Sequence, residues 1–299
     1  MKLGVKLSPQ MVEWSALEEA WAAAGQAPEF ESVWTFDHLY PLHGEGPCFE
    51  GWTTLAALAH HARGKRVGHL VLAATYRHPG LLAKMTTVMD HATGGRFVLG
   101  LGAGWHEAEA RAFDLPLPSI GERMRILEST LTITRSLIQA TPPSSATPGA
   151  RVPGAAVARD DIDAHPYHLR VPRNDPGPWG MGPRIVVGTD GERVGLRLVA
   201  RLADGWNHSA ARDPDPARFV QRLDVLRRHC DTEGRDPATI EVSVQLPVGA
   251  DPSARRRTVA LGQTYRTAGC DLLVLMADPR RGAAAIHETV REVAGELAG

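Results

Sequence analysis

Cysteine is scarce in this 299-residue chain: Cys48, Cys230 and Cys270 stand far apart, with no C-x-x-C pair. An odd count at such spacing argues against both a disulfide framework and a structural zinc site. Lysine is nearly absent too, since only Lys2, Lys6, Lys65 and Lys84 occur among the 33 basic side chains. With so much alanine and glycine, that skew towards arginine reads as GC-rich base composition. Nor is there an excess of either charge, because 33 basic and 34 acidic residues leave a formal charge of -1. That balance gives no electrostatic reason to expect a nucleic-acid partner or an acidic membrane surface. No apolar run reaches the roughly 18 residues of a membrane span. The opening MKLGVKLSPQ lacks the long apolar core of a secretory signal. The expectation is a soluble cytoplasmic protein of a size that suits an enzyme.

What is present is an alternation. Short β-branched or apolar runs at 3–7, 32–36, 67–73, 97–101, 184–187, 206–208, 240–245 and 271–275 read as strands. Between them, apolar residues at helical spacing mark 16–24, 52–62, 79–91, 122–139, 192–203, 217–233, 254–268 and 282–297. Eight strands, each followed by a helix, is the count of an α/β (β/α)8 TIM barrel, and the length suits one domain over 1–299. A doubly wound open sheet is not excluded by counting alone. The stretch 141–182 breaks the rhythm with eight prolines and much glycine and serine. Proline removes donors and clashes with a preceding helical turn, so this is read as one long insertion between the fourth helix and fifth strand. Its middle, 160–171, is expected to fold back as a strand over the barrel mouth.

Barrel enzymes carry their chemistry at the C-terminal ends of the strands. Asp37-His38 follows the second strand and Tyr76-Arg77-His78 the third. Gly100, Gly102, Ala103, Gly104 and Trp105 end the fourth, Gly188-Thr189-Asp190-Gly191 the fifth, Asn207-His208 the sixth, and Gln245 belongs to the seventh. A histidine side chain can give or take a proton during turnover, which suits His38 to proton transfer. A cap of the following turn by Asp37, with His38 in solvent, fits its position equally well. The glycines of the fourth strand follow G-x-G-x-G and not the dinucleotide fingerprint, and would let a flat ligand approach the backbone. The 188–191 turn opens a helix and suits a phosphate, because free amides and the helix dipole favour an anion. The Asp190 carboxylate opposes this unless it points away. No G-x-S-x-G elbow or metal-ligand cluster appears, and His165-x-x-His168 has no acidic or cysteine companions. Such a site suits an organic cofactor that carries the hard chemistry itself.

Residues 72–84 (LAATYRHPGLLAK), Gly94 to Trp105 (GGRFVLGLGAGW), Glu107, Glu109, Arg111-Ala112-Phe113, Gly121-Glu122-Arg123 and Ala203-Asp204-Gly205-Trp206-Asn207 together resemble the luciferase-like monooxygenase superfamily. The closer resemblance is to its coenzyme F420-dependent oxidoreductase branch. The likeness runs from Val33 to Asn207, and the last third matches only in its strand-helix rhythm. It implies a (β/α)8 barrel in which His38 is the catalytic residue and Asp37 lines the pocket. It also implies a bulge with a non-proline cis peptide around Leu70-Val71 supporting the deazaflavin ring. Gly102, Ala103 and Gly104 would border the cofactor, while Gly188, Thr189 and Asp190 would hold its phosphate through backbone amides. A homodimer pairing through 52–61 and 81–91 is implied as well. Two departures stand out: Trp105 occupies a place where some sugar-phosphate dehydrogenases of the family carry an acid, and Thr189-Asp190 replaces the usual Gly or Ser. The resulting expectation is hydride transfer between F420 and an organic substrate. The alternatives are an FMN-dependent monooxygenase or a ligand-binding barrel without turnover. The cofactor decides between the first two, because deazaflavin lacks the nitrogen that supports oxygen activation.

Overall fold

The computed structural model describes residues 1–42, 44–139, 157–158 and 160–298. The chain starts with β1 (Lys2–Leu7), α1 (Trp14–Gln26), β2 (Ser32–Thr35) and α2 (Gly51–Leu58). The third strand is split into β3 (Arg66–His69) and β4 (Leu72–Ala73), followed by α3 (Pro79–Thr93), β5 (Phe97–Gly102), the short α4 (Glu107–Ala112) and α5 (Ile120–Ile138). Four small strands then precede the second half: β6 (Val157–Ala158), β7 (Ile162–Ala164), β8 (Tyr167–Leu169) and β9 (Arg173–Asn174). That half comprises β10 (Arg184–Gly188), α6 (Gly195–Leu202), β11 (Gly205–Ser209), α7 (Pro216–Thr232), β12 (Glu241–Pro247), α8 (Pro252–Thr267), β13 (Leu272–Ala277), α9 (Ala283–Thr289) and α10 (Gly295–Ala298).

The large sheet is parallel throughout, and the β10–β5 pairing closes it on itself. With β3 and β4 as two halves of one strand, this is the eight-stranded (β/α)8 barrel, and the open-sheet alternative falls away. Buried on both faces, the strands have no need to alternate polar and apolar residues, and β1 is buried from Leu3 to Leu7. Asp caps the N-terminus of α7 and α8 through Asp215-Pro216 and Asp251-Pro252; the following proline gives up an amide that has no helical partner anyway.

One apolar cluster lies between sheet and helices, and a second fills the barrel interior with Trp34, Leu70, Val98, Val186, Leu272 and Val274. Room for the Trp34 ring comes from Gly68, whose Cβ would approach the indole to 2.9 Å.

The described part of the insertion does not cover the mouth. Strands β7 and β8 form an antiparallel hairpin whose Ile162, Ala164, Tyr167 and Leu169 pack against the outer apolar cluster. Asp163 and His168 point to solvent and pair with each other at 2.8 Å, and His165 lies 3.2 Å from Glu122, so each of these histidines does have an acidic companion, contrary to the expectation from sequence. Ser129 of α5 donates to the His165 carbonyl at 2.7 Å, and the Asn174 amide donates to Thr87 of α3 and to the Leu137 carbonyl. A two-stranded ribbon with one apolar face needs a surface to bury it, and the flank of α3 and α5 offers one. Residues 141–156 and 159 of the expected insertion lie outside the described residues.

Candidate active site

At the end of β2 the chain turns, and Asp37 and His38 serve different neighbours. Asp37 is buried and fully engaged: it accepts from the Ala73 amide at 2.9 Å and from both terminal nitrogens of Arg77 at 2.7 and 2.8 Å. Arg77 reaches on to Glu50 at 2.6 Å, and Glu50 caps α2 through the amides of Trp52 and Thr53. Burial works against the Arg77 charge, but the two carboxylates outweigh it and raise its pKa. Asp37 thereby ties the end of β2 to the end of the split third strand.

His38 faces the mouth amid aromatic rings, 4.9 Å from Phe36, 5.6 Å from Trp105 and 5.7 Å from His106 between centroids. Its Nδ1 lies 3.3 Å from Glu109 Oε2. The same oxygen accepts from the amides of Leu39 and Tyr40 at 2.7 and 3.1 Å, and Tyr76 donates its hydroxyl to Oε1. Burial alone would raise the Glu109 pKa, but the hydrogen bonds from His38, Tyr76 and the two amides hold it down at about 2. An ionised carboxylate accepts only, so the proton on His38 sits on Nδ1 and Nε2 is left for the mouth. Burial and this carboxylate push the Tyr76 hydroxyl well above the ordinary range. Burial, then Glu109, raises the nearby Cys48 thiol to about 12, which leaves it unreactive near neutrality.

Below this cluster the third strand bulges. Three residues lie between Gly68 and Leu72, against two between their partners Val98 and Leu101 on β5. The Leu70–Val71 peptide within the bulge is cis, where the resemblance placed it. The glycines around it make room for the bulge itself. A Cβ on Gly100 would overlap the His69 carbonyl, and one on Gly102 or Gly188 would come within 2.7 or 2.9 Å of Val71. Val71 therefore covers Gly102 and Gly188 as an apolar shelf. Gly104 takes φ +75°, a left-handed turn that a side chain resists. Beside it are Thr75 Oγ1 and Arg123 Nε, both buried with no hydrogen-bond partner among the described residues.

A buried polar chain supports the bulge from inside the barrel. Lys6 donates to the Leu70 carbonyl at 2.8 Å and to Gln245 Oε1 at 2.7 Å. Gln245 donates in turn to Asn207 Oδ1, and Asn207 donates to Ser243 at 2.9 Å. Both acceptors of Lys6 are neutral, and burial lowers its pKa to about 7.

At the end of β10, the 188–191 turn leads into α6, where Val194 at the cap position offers no side-chain acceptor. The turn is held from β11 and α7: Trp206 Nε1 donates to the Thr189 carbonyl at 2.8 Å, and Arg222 to the Asp190 carbonyl at 2.9 Å. The Asp190 carboxylate lies 2.7 Å from His208 Nδ1.

The structure thus gathers Asp37, His38, Leu70, Val71, Gly102, Ala103 and Gly104 around one end of the barrel, with Gly188, Thr189 and Asp190 at the same rim. Glu107 is exposed in the first turn of α4 and pairs with Arg111, as a helix-start residue does. Across the rim the Arg212 guanidinium lies 4.4 Å from the Trp105 ring centre. No group of three metal-ligating side chains occurs among the described residues, and no helix among them is long and apolar enough to cross a membrane. A depression of about 590 Å³ lies at the opposite end, around Lys2, Arg184 and Asp271, away from these groups. Reading the rim by strand ends names His208 without giving it a role, and does not single out Lys6 or Glu109 as site residues. Lys6, one of only four lysines and set in an apolar strand, carried the clearest sign.

Several known proteins are similar to this chain. The F420-dependent glucose-6-phosphate dehydrogenase of Amycolatopsis mediterranei is 28% identical over 46% of this chain and 41% of its own. The 4-hydroxyprotoasukamycin monooxygenase of Streptomyces nodosus subsp. asukaensis is 31% identical over 65% of this chain and 53% of its own. The chain spans about half the length of the curated relatives it matches. A solved F420-dependent secondary alcohol dehydrogenase, in complex with an F420-acetone adduct, superposes with a TM-score of 0.80 at 14% identity, covering 99% of this chain and 98% of its own. The luciferase-like monooxygenase family model matches residues 8–296, nearly the whole length, and the chain belongs to that family.

Proposed function

We propose that this protein is a coenzyme F420-dependent oxidoreductase that moves a hydride between the deazaflavin and an organic substrate. The observation that carries the reading is His38, fixed through Nδ1 on an ionised Glu109 beside the apolar shelf at Leu70 and Val71. The residues present fit a flat polar ring: Val71 offers an apolar surface, while Thr75 Oγ1 and Arg123 Nε are buried donors without partners among the described residues. Leu70, Val71, Gly102, Ala103 and Gly104 would hold the ring, with Asp37 bracing the bulge. The amides of Gly188, Thr189 and Asp190 would hold the phosphate. When bound, the deazaflavin supplies or accepts the hydride.

The protein's own part is positioning and proton handling. Glu109 keeps His38 in one tautomer, so that Nε2 gives or takes the proton at the substrate heteroatom. Phe36, Trp105 and His106 pack around the imidazole and limit water beside it. The partner is a small organic molecule. The exposed Leu81 and Val88 of α3 support a homodimer through α2 and α3, for which gel filtration should give twice the monomer mass.

Parallel equilibrium binding of coenzyme F420 and FMN to the purified protein tests the function. Tight deazaflavin binding with weak FMN binding is expected. Preference for FMN would make the protein a flavin monooxygenase, and binding of neither would leave a barrel without turnover.

A further inference from the structure

A carboxylate in the first turn before a helix should repel a phosphate there, because it competes for the same amides and carries the same charge. In this chain Asp190 stands in that turn, yet its Oδ1 lies 2.7 Å from His208 Nδ1. The His208 side chain is 2% exposed, whereas Asp190 is about half exposed. The imidazole is walled by Trp206 and Phe219, with ring centres 5.8 and 5.7 Å away. Its Nε2 is buried and has no hydrogen-bond partner among the described residues. Asp190 is therefore the polar partner for which this buried histidine is placed. Of the charges beside the turn, Arg222 pairs with Glu192 at 3.1 Å, and its Nε holds the Asp190 carbonyl.

We infer that His208 is a latch that holds the Asp190 carboxylate against β11, leaving the 188–190 amides open to a phosphate monoester or diester, while the Gly191 amide donates to Thr189 Oγ1 at 3.2 Å. This deepens the F420 reading and rests on it. The backbone of the turn is fixed independently, by Trp206 on the Thr189 carbonyl and by Arg222 on the Asp190 carbonyl. Loss of His208 should therefore free the carboxylate without dismantling the turn. Phenylalanine at this position keeps the aromatic packing between Trp206 and Phe219 but cannot bind the carboxylate. Asparagine keeps a donor close to Nδ1.

The test is equilibrium binding of two probes, F420 and the deazaflavin nucleoside that lacks the phosphate tail. It compares the wild type with His208→Phe, His208→Asn, Asp190→Asn and the His208→Phe/Asp190→Asn double variant. His208→Phe should weaken F420 about tenfold, the effect of one uncompensated like charge nearby, and leave the nucleoside unchanged. Asp190→Asn should not weaken F420. The double variant and His208→Asn should both return close to wild type. Equal loss for both probes in His208→Phe, or a double variant that stays as weak as the single, would overturn the latch while leaving the turn as the phosphate site. A wild type that binds the two probes equally would instead refute the phosphate turn itself, and the latch with it.

Discussion

Replacing Lys6 by methionine should remove a pH dependence of stability that the wild type carries. The Lys6 ammonium is buried inside the barrel with two neutral acceptors, the Leu70 carbonyl and Gln245 Oε1. Its pKa falls from an ordinary 10.5 to about 7 because burial penalises the charged form. That difference is worth roughly 5 kcal/mol in full. A lysine with a lowered folded pKa destabilises the native state below that value, and the penalty fades as pH rises towards 10.5. Between pH 7 and 9 the wild type should therefore gain about 2 kcal/mol from this group alone. Methionine fills similar volume, has no proton to lose, and leaves two buried acceptors without a donor at about 1–3 kcal/mol each. Near pH 7 the two effects largely offset, and the variant should unfold close to wild type. Urea unfolding at several pH values, followed by tryptophan fluorescence, gives the difference between the proteins, in which all other titrations cancel. The difference should move by about 2 kcal/mol in favour of the wild type between pH 7 and 9. A flat difference would show that Lys6 does not titrate in this range, and the buried, unpaired ammonium would be refuted.

Three further outcomes are expected. His38→Ala should keep cofactor affinity and slow turnover roughly a hundredfold; unaltered steady-state rates would assign the proton to another group. Glu109→Gln should lower kcat roughly 10–100-fold with little change in KM, because the amide can no longer fix the His38 tautomer. The native carboxylate, held at about 2, contributes stability that is full above pH 4.5 and is lost as pH falls through about 2, so acid unfolding of this variant should be less steep. Gly100→Ala should cost about 3 kcal/mol or more by chemical denaturation, since its Cβ overlaps the His69 carbonyl; a cost under about 1 kcal/mol would mean the bulge can shift.

The barrel was legible because each of its strands is a short apolar run bracketed by helical spacing, and all eight runs fall on barrel strands. The third shows the limit of that reading. Residues 67–73 look like one strand, and only the family likeness marks the interruption at Leu70–Val71. Helix α4 is six residues long, too short for a period to show. The insertion falls between α5 and β10 as expected, but its middle packs on the flank for a different reason. Its composition says that it is not helical, but the surface that receives the β7–β8 hairpin is built by α3 and α5, distant in sequence.

The site follows the same division between local and distant information. Asp37 and His38 are adjacent in sequence and stand out at a strand end, yet what each does is decided from far away. Arg77, forty residues on, engages Asp37, and Glu109, seventy-one residues on, holds His38. With neighbouring side chains claimed by different partners, the pair is not an Asp–His couple, and the histidine's acid is Glu109. Asp190 repeats the pattern. By position it reads as a flaw in a turn expected to take an anion, yet its carboxylate lies against His208, eighteen residues later on β11. In a parallel barrel, adjacent rim loops are brought side by side by strands that pair in space and are separated in sequence by whole helices. Residue type and strand end can therefore nominate the groups of such a site, while their protonation and direction are set by loops that only the closed sheet brings together.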